Sequence, residues 1–281
     1  MKQYLDLCSY ILHAGELTQN RTGVDTLNIF GAMMQYDLRE GFPLLTTKRV
    51  NFDTVVDELL WFIRGGHNVK DADAPKVIWD AWANEEGELG RIYGVQWREW
   101  KGCLFDKSNT AFGARSYDQL TLAIERVKKT PNNRRNLVSA WNVAELEQGL
   151  IGFPPCHVLF QLRVMGEGTR LDMSMYQRSC DMALGVPFNI ASYAILLTLI
   201  ANECCLVPGI LTHFLADAHI YTTHIEQMEK QLKRQPYPLP TLDLVVDGGT
   251  PAGVPVVRIA KQDIQLRNYQ SHGFLKYDIA V

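Results

Sequence analysis

HVLFQLRVMGEGTRLDMSMYQ, residues 157–177, contains two apolar runs of period two, 157–164 and 171–177, separated by Gly-Glu-Gly. Alternation at every second residue puts one set of side chains on one face, so each run reads as a strand and the glycine turn pairs them as a hairpin. Shortly after it comes IASYAILLTLIA (190–201), which reads as a buried core helix extending to about residue 203. Taken alone, that apolar run is too short to cross a bilayer. Further out, DTVVDELLWFIRGG (53–66) reads as a helix stopped by Gly65 and Gly66. YDQLTLAIERVKK (117–129) carries Leu120, Ala123, Ile124 and Val127 on one helical face and stops before Pro131. The segment 235–257 mixes proline turns with two short strand-like runs. Helices interleave with strands, with no repeat and no low-complexity linker. The expected architecture is one α/β (α+β) domain spanning residues 1–281.

The chain has 281 residues, 47% hydrophobic and 21% charged, ample for a substantial core. A net charge of −3 and a pI of about 6.2 argue against a general electrostatic grip on nucleic acid. An anionic partner must therefore be met by a local group of basic residues. The six cysteines form no CxxC pair and no metal-ligand spacing, so free thiols in a reducing cytoplasm are expected, and no metal site. MKQYLDLCSYILHAG (1–15) reads as a first amphipathic helix rather than a secretion signal.

Chemistry concentrates at a few positions. Cys156 follows Pro154 and Pro155 directly before the first hairpin strand. A cysteine there is either a small core side chain or a thiol held for attack, and the second reading needs basic groups close in space to stabilise a thiolate. Arg21 in NRTG, Arg134 and Arg135 in NNRRN, and Arg178 with Ser179 in QRSCD are the candidates. Singly each arginine fits a solvated or salt-bridged surface role; together they fit a phosphate. Glu58 falls within the apolar stripe of residues 55, 59 and 62. It is either a general acid–base with a raised pKa, or one half of a buried ion pair or a cap. Asn189 either caps the helix it begins or offers an amide to a heterocycle edge. His219 and Tyr221 share a face if the backbone is extended. Four of the six tryptophans lie in IWDAWA (78–83) and YGVQWREW (93–100), as core or as the walls of a flat-ligand pocket.

The motifs RTG, GFPLLTTKR, ELLWF, IWDAWA, NNRRN, SAWN, PPCH, QRSCDMALGVPFNIASY and AHIYTTH occur in that order, and the chain closely resembles the folate-dependent thymidylate synthase family. The likeness runs nearly end to end and thins at 101–116 and 235–275. It implies a large mixed β-sheet flanked by helices, and an obligate homodimer whose subunits pack sheet to sheet. It implies reductive methylation of dUMP to dTMP, with 5,10-methylenetetrahydrofolate giving both carbon and hydride and no metal taking part. Cys156 then matches the nucleophile. Arg21, Arg178 and Ser179 match phosphate ligands, and Arg134 and Arg135 match a pair donated across the dimer. Asn189 matches the reader of the pyrimidine edge, and His219 with Tyr221 the ribose-hydroxyl ligands. Gln177 lies beside the substrate, and Asp181 near both base and folate. Glu58 with Tyr93 matches the proton-handling network. Lys48, Asn51, Ile78, Trp79, Trp82, Leu184, Gly185, Phe188 and Ala280 match the folate contacts and lid.

Some positions depart from the commoner family pattern. Asn51 stands where a histidine is frequent, Leu215 and Ala216 where a Gly-Gly pair is usual, and the tail reads KYDIAV. These departures keep a second activity in view: hydroxymethylation of dUMP, in which water rather than hydride traps the methylene. Deoxycytidylate hydroxymethylases carry Asp where this chain has Asn189. A non-catalytic nucleotide- or mRNA-binding role is the reading from another class; the acidic pI and the complete set of candidate residues argue against it as the main role.

Overall fold

The computed structural model describes residues 1–249 and 252–279. Helix α1 (Lys2–Ala14) buries Tyr4, Cys8 and Ile11 and leads into β1 (Glu16–Thr18) and β2 (Thr26–Asp37). Helix α2 (Phe52–Ile63) starts at Asn51, whose side chain accepts from the Thr54 amide at 3.4 Å. It ends at Gly65, in the left-handed region at φ 86°, and at Gly66, where a Cβ would lie 2.1 Å from the Trp61 indole. Burial along α2 is wider than the predicted stripe: Val56, Leu60, Trp61 and Ile63 are enclosed as well as Val55, Leu59 and Phe62. Two short helices follow, α3 (Lys76–Trp79) and α4 (Tyr93–Arg98). Next come an outlying ribbon, β3 (Trp100–Phe105) and β4 (Ala111–Tyr117), and helix α5 (Gln119–Lys129). Asp118 caps α5, and the four predicted apolar residues are its buried ones.

The hairpin stands as expected. After β5 (Leu137–Ser139) and α6 (Val143–Glu147) come β6 (His157–Met165) and β7 (Arg170–Asp181), antiparallel across the Gly166–Gly168 turn. Strand β7 runs four residues beyond the predicted end because β8 (Val207–Tyr221) pairs with it in parallel, Ser179 opposite Asp217 and Asp181 opposite His219. The crossover between them is α7 (Gly185–Glu203), 19 residues long and buried on nearly every side. By length and composition α7 suffices to span a bilayer, unlike the shorter apolar run read from sequence; yet 72% of its most apolar window is buried inside the protein, as in a core helix. Pro187 is tolerated in its first turn, where amides have no intrahelical acceptor to lose. Helix α8 (Ile225–Leu232) and a second ribbon, β9 (Thr241–Leu244) with β10 (Ile264–Arg267), complete the elements. One expectation fails in this region: the second strand-like run near 253–257 is a 3-10 turn, Val256–Arg258, placed after Pro255.

The main sheet has six strands in the order β1-β2-β8-β7-β6-β5. It is mixed, with β7–β8 parallel and the other pairs antiparallel, and helices flank it as expected. The topology brings the chemistry together. The C-terminal ends of β7 and β8 and the N-terminal end of antiparallel β6 share one sheet edge, which also receives the start of α7. Open α/β sheets place their ligand crevices at such carboxyl ends.

Candidate active site

Cys156 is fixed by its backbone on both sides. Its amide donates to the Tyr93 hydroxyl at 2.7 Å, and its carbonyl accepts from the Arg178 amide at 2.8 Å. The Arg178 guanidinium donates to the carbonyls of Pro155 (2.9 Å) and Pro154 (2.8 Å) and stacks over Trp141, 5.3 Å from the ring centre. The Pro-Pro-Cys segment is thereby clamped to the neighbouring strand. Burial pushes the thiol above its ordinary pKa, against the pull of Arg178, Tyr93, Arg21 and Ser179, all of which act on it. The thiol is partly buried, within reach of Arg178 and Arg21, and burial outweighs their pull. Arg134 and Arg135 are not brought there. Both are exposed, and neither side chain has an ion pair or hydrogen bond among the described residues.

Beside the thiol lies a hydrogen-bonded chain that fixes its own polarity. Gln177 faces the Ser179 carbonyl at 2.9 Å, and a backbone carbonyl only accepts, so the Gln177 atom there is Nε2. The same Nε2 donates to Asn189 Oδ1 at 3.0 Å. Gln177 Oε1 therefore faces His213 Nε2 at 3.0 Å and must accept, which puts the single imidazole proton on that nitrogen. Burial holds the His213 pKa at about 3, so the ring is neutral. With Oδ1 engaged inward, Asn189 turns its NH2 group away from Gln177. Asn189 is not the cap of α7; the turn into that helix is held by Asp181, whose Oδ1 accepts from the amides of Ala183 (2.9 Å) and Leu184 (3.2 Å). Leu184, Gly185 and Phe188 follow, each partly buried on this first turn.

Glu58 is enclosed, 6% exposed, with its carboxylate accepting from the Trp79 indole at 3.0 Å. No cation pairs with it among the described residues, so the buried ion pair weighed above is absent. Burial lifts its pKa to about 7, a value suited to moving protons near neutrality. Around it Trp79, Trp82 and Phe153 form a triangle with ring centres 5.4–5.8 Å apart, and Ile78 adjoins it in sequence. The Tyr93 ring stacks on His157 at 4.0 Å, and His157 Nδ1 lies 2.9 Å from the Tyr193 hydroxyl.

On β8, His219 Nδ1 donates to Asp217, 3.2 Å from Oδ1, and His219 packs edge-on to Tyr221. Burial opposes a charge on His219, but the hydrogen bond to Asp217 and the charges of Asp181 and Asp217 prevail and raise its pKa. Arg21 occupies an exposed turn closed by Asn20, within electrostatic reach of Cys156 and Tyr221. Asn51 caps α2. Lys48 is buried, its ammonium donating to the Ala183 carbonyl and lying 4.7 Å from the centre of the Tyr277 ring. Ala280 lies outside the described residues. No group of three or more His, Cys, Asp or Glu side chains suited to a metal ion occurs among the described residues.

His213, His157 and Tyr193 were not singled out by the sequence reading. His213 had a usable signal: it stands six residues before His219 on the same strand, hence on the same face.

A family model described as Thymidylate synthase matches residues 2–281. The chain belongs to the thymidylate synthase family. As a thymidylate synthase family member it is an enzyme of the transferase class, and the family acts on dUMP with a folate co-substrate in the making of dTMP. Cys156, Gln177 and Asn189 meet at the carboxyl end of the β7–β8 pair.

Proposed function

We propose that the protein converts dUMP to dTMP, taking both carbon and hydride from 5,10-methylenetetrahydrofolate. The polarity of the Gln177–Asn189 chain carries this reading. An outward NH2 meets the O4 carbonyl of uracil, whereas the same edge of cytosine offers a second NH2 and would leave two donors opposed. The sequence alone permits the Asn189 amide to flip; the Ser179 carbonyl removes that freedom.

Cys156 Sγ adds to C6 of the pyrimidine, and the electron pair of the C5–C6 bond moves toward O4, making C5 a carbon nucleophile. The Asn189 NH2 donates to O4 as charge builds there. Arg21, Arg178 and Ser179 hold the phosphate, and His219 with Tyr221 hold the ribose. The co-substrate supplies the one-carbon unit and then the hydride, leaving as dihydrofolate. Trp79, Trp82 and Phe153 give an aromatic cluster against which its heterocycle packs. Glu58, half-ionised near pH 7, organises the proton lost from C5. Reversal of the first step frees Cys156.

The reading includes a homodimer. Met33, Phe214, Tyr176 and Leu159 stand side by side in register across β2, β8, β7 and β6, and the first three are 40–55% exposed. Such an apolar strip on the open face of a sheet calls for a covering surface. Gln161 on β6 also holds the Arg134 carbonyl at 2.8 Å, so Arg134 and Arg135 stand beside that strip, where a second subunit would take them into its phosphate site. Free thiols at all six cysteines suit a reducing cytoplasm.

dUMP tritiated at C5 tests the reading. Folate-dependent tritium release by the wild type, and its loss by at least a thousandfold in Cys156→Ala, are expected; equal release by both proteins would refute covalent activation.

A further inference from the structure

The last described residues are anchored by a side chain with no part in the chemistry above. His224, 1% exposed, follows β8 and donates through Nε2 to the Asp278 carbonyl at 2.7 Å. Its Nδ1 has no hydrogen-bond partner among the described residues, so this bond is the ring's single polar attachment. The ring packs edge-on to Tyr221 on one side (5.4 Å) and to Tyr277 on the other (5.1 Å). Tyr277 in turn donates to Gln231 at 2.8 Å and covers the Lys48 ammonium. Gln231 donates to Thr47, and Arg234 bridges the carbonyls of Thr47 and Gly273. One continuous set of contacts thus runs from the ribose-side Tyr221, through His224, to the backbone of the C-terminal segment.

We infer that His224 is a positioning residue that sets the C-terminal segment against the nucleotide site by holding the Asp278 carbonyl. The inference rests on the function proposed above for its kinetic readout, though not for its structural one. A ring wedged between Tyr221 and Tyr277 transmits the placement of one to the other, because packed side chains have few alternative arrangements. Loss of the Nε2–H donor leaves the packing but frees the Asp278 carbonyl. The segment is then held less firmly beside the nucleotide site, at the cost of folate binding and of water exclusion, with nucleotide binding unaffected.

His224→Phe keeps the ring and removes the donor, whereas His224→Gln keeps a donor. The Phe variant is expected to raise KM for methylenetetrahydrofolate about tenfold, the worth of one buried hydrogen bond. It should leave dUMP affinity within about twofold and divert part of the product to the hydroxymethyl nucleotide, with Gln recovering most of the loss. In a chain ending at Tyr277 the Phe substitution should add nothing further, since its partner is gone. Carboxypeptidase should release C-terminal residues faster from His224→Phe than from the wild type with no ligand present. That arm reads the anchor even if the wild type makes no dTMP, in which case the proposed function fails by itself. Unchanged carboxypeptidase release, or equal losses toward dUMP and folate, would overturn the inference. So would an additive effect in the shortened chain. If the Phe variant does not fold, the Gln variant decides: an anchor role predicts slow release as in the wild type, and rapid release overturns it.

Discussion

At the scale of single residues, Glu58 and Gln177 carry the sharpest consequences. Glu58 binds its proton more tightly in the folded chain, at about 7, than at the ordinary carboxylate value of 4.5, because burial penalises the anion. The folded state therefore holds an extra proton between those values, and stability falls as pH rises through the window, levelling above about 7. Glu58→Gln should abolish that slope in denaturant titrations from pH 4.5 to 8. It should also remove any limb near pH 7 from the kcat profile while lowering kcat by at least about a hundredfold. A profile unchanged by the substitution would mean that another group handles the proton. Gln177→Leu leaves the Asn189 amide free to turn. Preference for dUMP over dCMP in binding should then fall by about tenfold or more, read by competition titration. An undiminished preference would mean that Asn189 is oriented by something other than Gln177.

At the scale of elements, legibility followed physical simplicity. The β6–β7 hairpin was visible because period-two alternation and a glycine turn have one common solution, and α5 because its four apolar residues share one helical face. The first turn of α7 was hidden. The sequence reading starts the helix near Asn189, yet a helix start needs no amide donor at Pro187 and can follow a tight turn held by Asp181. The run at 253–257 mimics a strand because its valines flank Pro255, whereas the true partner of β9 lies at Ile264–Arg267, whose alternation spans only four residues. Cys156, Glu58 and Asn189 could be flagged as candidates from their surroundings in sequence. The His213–Gln177–Asn189 chain could not, since it joins three elements that only the parallel β7–β8 pairing and the packing of α7 bring together. Asn51 shows how an element can give a residue a second role. The resemblance placed it near the folate, while the fold uses it to cap α2. Asn51→Ala should cost about 1 kcal/mol in unfolding free energy. A folate KM that changes less than twofold would mark it as a cap alone, and a large rise would establish the folate contact.

At the scale of the whole molecule, one mixed sheet organises both the site and the expected assembly. Its carboxyl edge gathers Cys156, Gln177, Asp181, Asn189, His219 and Tyr221, and its open face carries the apolar strip. Phe214→Glu together with Tyr176→Glu should give a monomer by sedimentation velocity, since a charge on a dehydrated face is costly. Activity should be lost with it, because Arg134 and Arg135 then lack a site to complete. An active monomer would contradict the dimer. The fate of the transferred carbon separates the two activities, and one incubation with dUMP and methylenetetrahydrofolate decides it, with nucleotide mass and dihydrofolate recorded together. Thymidylate and dihydrofolate in equal amounts are predicted, whereas a hydroxymethyl nucleotide with tetrahydrofolate left unoxidised would contradict the proposal.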